Sequence, residues 1–436
     1  MAPPPAPWAD GLAIDLLLLI LAELYCRADR ASFASVCRHW RQAAKLAVPQ
    51  LPQIPFLLLP APSPTPSIFS FLSGLRRRIG SFPADFARER FCGSHPGGWV
   101  AVALGPFGPH LLFDIFSKVR VSLPHRLFNV SRSITTPLLI RAVILSAAPT
   151  ASGCVAGAMV CGASNVAFCR PGVDTHWYLH REVVDDLQDM AYYEGEAMQG
   201  FHVLTEHGDV LVLTFNVIRP RITINNTRSI RYMMPEQAPV MDPDGLPEAT
   251  CRTGYLVVSR KKLLMVLRYF LHDAQTGARQ TFLFRVFEMQ VKASRSGINR
   301  ASWMELDGLD GRVLFVGRGC SRACEASELR GFNGGSIYFL DDAKFDLLPF
   351  LLNEAEFPCR DMGMYSMSDG TTIVRPSLDA PTPNANMRPA IYGAKNYLSW
   401  VDKDEGNEEA GKITGTRWSI LSEPVSKFSP PIWFCP

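Results

Sequence analysis

Residues 12 to 25, LAIDLLLLILAELY, place Leu16, Leu17, Ile20, Leu21 and Leu24 at helical spacing. Leu18 and Leu19 make the other side of that helix apolar as well, so it needs cover on both faces. Asp15 falls in the first turn, where the helix dipole favours a carboxylate. Further on, Phe33, Val36, Cys37, Trp40 and Ala44 form a second apolar stripe, with Arg38, His39, Arg41 and Gln42 turned away and Asp29 expected as its cap. Helical pattern therefore covers residues 8 to 47. Two or three helices within about 40 residues cannot bury so much leucine by themselves, because modules of that size are marginal without a partner. The missing cover must come from another protein or from the rest of this chain.

The pattern then changes. Residues 48 to 67 carry seven prolines and read as a linker, since proline lacks the amide donor a helix needs. From residue 68 to 436, short apolar runs such as GWVAVAL, HLLFDIF, CVAGAMVC, DVLVLTF, TFLFRVFEM, RVLFVG and SIYFL alternate with Gly, Asp and Asn turns. Residues 379 to 424 read as a polar, loop-like insertion. Two stretches, one beginning at Trp177 and one at Trp303, repeat the same order of features about 126 residues apart, compatible with two or three blades of a propeller. The fold class expected is a small all-α N-terminal module followed by a mostly-β, propeller-like domain, with a barrel or sandwich also fitting. Trp99, Trp177, Tyr192, Tyr193, Trp303, Tyr338 and Phe339 are expected to pack between blades.

Composition narrows the function classes. The 436 residues are 47% hydrophobic and 19% charged, with a formal net charge of +3, as for a globular protein with a sizeable core. The basic run Arg76–Arg78 is too short for a nucleic-acid footprint. Eleven scattered cysteines suggest reduced thiols in cytoplasm or nucleus. Residues 12 to 25 hold Asp15 and Glu23 and are too short and too charged for a membrane span, and a signal peptide is not expected.

Sequence motifs name no catalytic residue, cofactor or metal. Cys320 and Cys324, and the group Cys154, Cys161 and Cys169, lack a second matched pair with histidine spacing. His176 and His180 sit on a strand-like run. VGRGCS lacks the lysine of a phosphate loop. Asp341 and Asp342 point to opposite faces if they continue a strand, and are expected as turn caps rather than an acid and base pair.

The segment WADGLAIDLLLLILAELYCRADRASFASVCRHWRQAAK resembles the F-box, the helical motif that docks onto a Skp-type adaptor of a cullin-RING ubiquitin ligase. Matching positions are Leu12, Asp15, Leu16, Leu17, Ile20, Leu24, Asp29, Val36, Cys37, Arg38, Trp40 and Arg41, while Ala13 stands where the family has the proline of its Leu-Pro signature. The resemblance implies that Leu12, Leu16, Leu17, Ile20, Val36 and Trp40 divide between an adaptor-facing surface and the motif's own core.

The remainder resembles the plant F-box-associated family called domain of unknown function 295. The likeness is carried by CGSHPGGWVAVAL, AFCRPGVDTHWYL, DMAYYEG, LTEHGDVLVL, SWMELDGLDGRVLFVGRGCS, GSIYFLDD, MGMYSMSDGT and the terminal PPIWFCP. EAMQGFHVLT departs from it, in a place where a short strand should continue. Together the two resemblances imply a non-catalytic substrate-recognition subunit of an SCF-type (Skp–cullin–F-box) ligase, with a target protein held by the β domain and neither nucleic acid nor membrane as partner. The alternatives are a scaffold or regulator without ubiquitin transfer, and a propeller enzyme on which the helices merely pack.

Overall fold

In the computed structural model the residues described are 11–24, 27–47, 55–59, 66–69, 76–78, 82–83, 86, 89–105, 107–129, 134–161, 165–180, 184, 187–195, 199–218, 221–223, 250–272, 279–292, 300–329, 332–342, 361–374 and 432–434. The expected insertion at 379–424 lies outside them.

Three helices come first: α1 (Ile14–Ala22), α2 (Arg27–Ser35) and α3 (Arg38–Ala47). Helix α1 starts from Ala13 at φ −59° and ψ 148°, without a side-chain cap, and has Asp15 in its first turn. The stripe expected to run unbroken from Phe33 to Ala44 is divided at Val36 and Cys37 between α2 and α3. Asp29 is the third residue of α2 rather than the residue before it. At the break, the Ser35 hydroxyl donates to the carbonyl of Ser32 at 2.7 Å, a side-chain bond that competes with continuing the helix. Leu17, Leu21, Phe33, Ala43, Ala44 and Ala47 form the buried core of this module. The three alanines let α3 approach closely, and the Phe33 and Trp40 rings meet at 4.5 Å.

The β part is a six-bladed propeller, as its short alternating strands foretold. Blade one orders its strands as Ile432–Phe434, Phe56–Leu59, Ser67–Phe69 and Arg76–Arg78 from the centre outwards. The expected linker is therefore shorter than 48–67. Pro55 and Pro60 bracket the apolar FLLL without interrupting it, leaving four residues free to pair. Blade two runs from Arg90 to Leu123, and blade three is centred on Ile140–Leu145 and ends its main order at Trp177–Leu179. Blade four joins Leu187–Glu194 to Gln199–Thr205 and Val210–Leu213. The stretch that looked disturbed is thus a regular seven-residue strand from Gln199 onwards, with residues 196–198 outside the described set. Blade five holds Thr250–Ser259, Lys262–His272, Arg279–Lys292 and Arg300–Leu306. Blade six surrounds Arg312–Val316 and has Arg322–Glu325 at its inner edge. Trp177 and Trp303 are both buried on fourth strands, two blades apart, which accounts for the repeat seen in the sequence.

The ring closes through the chain's far ends. Leu57 pairs with Trp433 across antiparallel strands, and the buried Trp433 indole donates to the carbonyl of Val316 in blade six at 2.9 Å. Ser94 of blade two donates to the Trp433 carbonyl at 2.5 Å. Between blades two and three, the buried Arg90 guanidinium donates to the carbonyl of Ile140. Gly93 makes that approach possible: it lies in a β-bulge at φ +135°, and a Cβ there would come within 2.7 Å of the Val143 carbonyl oxygen.

Blades five and six are joined by buried charge. Arg268 of blade five donates to Asp361 Oδ2 at 2.8 Å and to the Leu340 carbonyl at 2.7 Å. Thr281 donates through its hydroxyl to Asp361 Oδ2 at 2.8 Å and through its backbone to Oδ1 at 3.1 Å. Tyr255 donates to Asp342 at 2.7 Å. Asp341 accepts the backbone N–H of Asp361 at 3.2 Å. Asp342 is therefore a buried acceptor between blades five and six, and Asp341 a buried acceptor within blade six, rather than turn caps; they follow the last strand residue, Phe339, into the interior rather than into solvent.

Candidate functional site

Among the described residues, the outside of the helical module and the mouth of the propeller channel are the candidate surfaces for function.

Helix α1 has one buried and one open face. Leu17 and Leu21 are fully buried, whereas Leu16, Leu19 and Ile20 are 49%, 65% and 38% exposed. These three share one helix face by their i, i+3, i+4 spacing. Val36, in the break between α2 and α3, is 42% exposed. Leu12 and Trp40 are half-buried against the module core, and His39 Nε2 lies 2.8 Å from the Leu12 carbonyl. Of the six positions named from the sequence, Leu17 is thus a core residue and unavailable to a partner, Leu12 and Trp40 mostly support, and Leu16, Ile20 and Val36 are presented. Leu19, which the sequence had marked only as excess grease, is the most exposed of all. The helical core contains no propeller residue among those described. Covering the open parts of Leu16, Leu19 and Ile20 would release on the order of 1 kcal/mol each.

The channel is built by the inner strands. On the side where the first strand of each blade turns into the second, they enclose a cavity of about 1350 Å³. Its wall includes Ser94 and His95 from blade two, Asp189, Tyr192 and Glu194 from blade four, Lys261 from blade five and Arg322 from blade six. Arg260 and Lys261 form the two-residue turn between Ser259 and Lys262, both with positive φ (48° and 56°), where glycine or asparagine is the usual occupant. That turn is held from two sides. Arg260 makes a paired contact with Glu325 at 2.8 and 2.5 Å, and Tyr193 donates to the Lys261 carbonyl at 3.0 Å.

Arg322 differs from the other cavity arginine. It donates to the carbonyls of Ser321 at 2.7 Å and Ser94 at 2.5 Å, and among the described residues no carboxylate pairs with it. Its buried Nε has no hydrogen-bond partner there either. Burial, with the Arg322 charge second, pushes the neighbouring His95 down to about 4. Asp189, in contrast, is occupied: its carboxylate accepts the backbone N–H of Leu256 at 3.0 Å and of Gly319 at 3.1 Å, while burial raises it to about 7.

The candidate ligand sets of the sequence do not assemble. His180 is buried, and the His176 ring meets Phe128 at a tilt and Tyr178 edge-on, each at 4.9 Å. Cys154, Cys169 and Cys320 are buried free thiols, and among the described residues no three His, Cys, Asp or Glu side chains are placed to share a metal. No helix among them is long and apolar enough to cross a membrane. No sequence pattern marks Arg322, and only a faint one marks Arg268, the lone cation within the apolar strand LLMVLRYFL.

A closed six-bladed ring with a terminal strand clasp defines the chain as a β-propeller protein with a separate helical module. Residues 69–366, more than half of its length, match the KIB1-4 beta-propeller family, and the chain belongs to that family. It is also similar to a putative F-box/kelch-repeat protein of Arabidopsis thaliana, 30% identical over 95 residues. That match covers 21% of this chain and 23% of the relative, so it spans less than a quarter of either.

Proposed function

We propose that this protein is the substrate-recognition subunit of an SCF-type ubiquitin ligase, its helices being an F-box that docks onto a Skp-type adaptor and its propeller holding a target protein. The observation that carries this reading is the division of α1: a module with its own core leaves Leu16, Leu19 and Ile20 uncovered, with Val36 nearby in sequence to the second helix pair. The resemblance of residues 8–47 to the F-box, the F-box/kelch relative and the likeness of the β part to the plant domain of unknown function 295 support it. The protein's own contribution is proximity: a target held beside a conjugating enzyme recruited through the cullin is modified because its effective concentration is high. Catalytic groups belong to the other subunits. In keeping with that, the buried titratable cluster of Arg268, Tyr255, Asp342 and Asp361 is consumed by mutual hydrogen bonds and does not line the cavity. Free thiols suit a reducing cytoplasm or nucleus.

The test is recovery of a purified Skp-type adaptor on the immobilised full chain. Leu16→Asp with Ile20→Asp is expected to abolish recovery while the far-UV spectrum stays unchanged, because neither side chain belongs to the buried core of the module. Adaptor retained by this double variant at the wild-type level would overturn the docking role.

A further inference from the structure

The geometry points to the channel mouth as the site that takes the target, and to an acidic peptide segment as what it takes, with Arg322 as the counter-charge. This rests on the reading of the propeller as the target-holding part.

The charge pattern leads there. Four cations reach the cavity, and two are already matched: Arg260 by Glu325, and Lys262 by Glu288 at 3.8 Å. Lys261 is exposed, and no salt bridge to it is formed by a described residue. Among the described residues Arg322 has carbonyl dipoles for company but no negative charge, and its buried Nε has no acceptor. The terminal nitrogens of this half-buried guanidinium each keep a hydrogen beyond the carbonyl bond they make, and a carboxylate bonded there would supply the missing charge, since charge-assisted bonds to guanidinium are among the stronger ones. Of the two acids at the wall, Asp189 is turned to backbone amides and Glu194 stands exposed next to Gln199. Neither neutralises Arg322.

Size and shape select a peptide over a small anion. About 1350 Å³ exceeds the roughly 300–1,000 Å³ of pockets that enclose a small ligand. The wall also carries the side-chain amides of Gln290 and Gln199; their N–H groups are engaged with Glu288 and with Tyr192, which leaves the amide oxygens to accept main-chain N–H groups of a segment passing Arg322.

The probe is a dye-labelled octapeptide of alternating Glu and Tyr, read by fluorescence anisotropy on the full chain, with a Gln/Tyr octapeptide and inorganic phosphate as comparisons. The Glu peptide is expected to bind, more weakly as salt rises, and the Gln peptide to bind at least tenfold less. Arg322→Gln should weaken the Glu peptide tenfold or more, Arg322→Lys should recover part of it, and Lys261→Asn, which suits the positive φ of the turn, should cost a few-fold. Adaptor recovery should be untouched in all three. Equal binding of the two peptides, unchanged affinity in Arg322→Gln with an unchanged melting curve, or phosphate binding as tightly as the peptide would each overturn the assignment. The Leu16→Asp, Ile20→Asp variant separates the two readings: it should bind the Glu peptide like wild type, so loss of adaptor docking and loss of channel binding fail independently.

Discussion

Arg268 of blade five and Asp361 of blade six meet at 2.8 Å with both side chains almost wholly buried. The pair sits inside a fully bonded set: Asp361 also takes both donors of Thr281, and Arg268 lies 4.6 Å over the Phe339 ring. Such a pair adds little over a well-packed apolar substitute, yet leaving one charge alone costs several kcal/mol. Arg268→Met is therefore expected to lower propeller stability by about 3–5 kcal/mol. Asp361→Asn should cost less, because the amide oxygen keeps one acceptor. In urea unfolding, the double variant should fall well short of the sum of the two.

His110 offers the opposite case. It is buried, and neither ring nitrogen has a hydrogen-bond partner among the described residues. His110→Leu removes two unsatisfied polar atoms and is expected to stabilise the fold by about 1 kcal/mol at pH 7. A loss of stability would contradict it.

The same histidine sets a pH dependence together with His95 and His202. Burial is the leading cause in all three, holding them down at about 3, 4 and 4 respectively, against 6.5 in the unfolded chain. The unfolded state thus binds more protons below pH 6.5, and stability is fully present above that value and drains away as pH falls towards 4. Asp189 runs the other way: raised to about 7 from 3.8, it keeps its proton longer when folded, so its contribution declines as pH rises from 4 to 7. Three groups against one make the net slope acid-labile. Melting temperatures from pH 7.5 to 4.5 should fall, less steeply in His110→Leu and more steeply in Asp189→Asn, which also forfeits one of two backbone acceptors.

Ala13 is already in the conformation proline prefers, at φ −59°. Ala13→Pro should stabilise α1 by about 0.4–1 kcal/mol, through the entropy of the unfolded chain. Slower amide exchange at Leu17 and Leu18 in the full chain is the measurement, and tighter adaptor binding should accompany it.

The helices and the strand runs were legible because their periodicity is local. What escaped was set by distance in space. Nothing between Phe33 and Ala44 distinguishes one bent stripe from two helices until Ala43 and Ala47 are seen packed in the same core. FLLL looked like linker because its partner, Ile432–Phe434, lies more than 370 residues away. Asp341 and Asp342 read as turn residues because their donors, Tyr255 and the Asp361 amide, come from elsewhere in the chain. Arg322 had no sequence signal at all, since what marks it is the lack of a neighbour.

The Trp433 clasp also orders events during synthesis. At about 5–20 residues per second, some twenty to eighty seconds separate the emergence of α3 from that of the strand that completes blade one. For that interval a nascent molecule carries a finished helical end and a ring still open, with Phe56–Leu59 lacking its inner neighbour. A ribosome stalled late in translation would then display the folded helical module without a closed propeller.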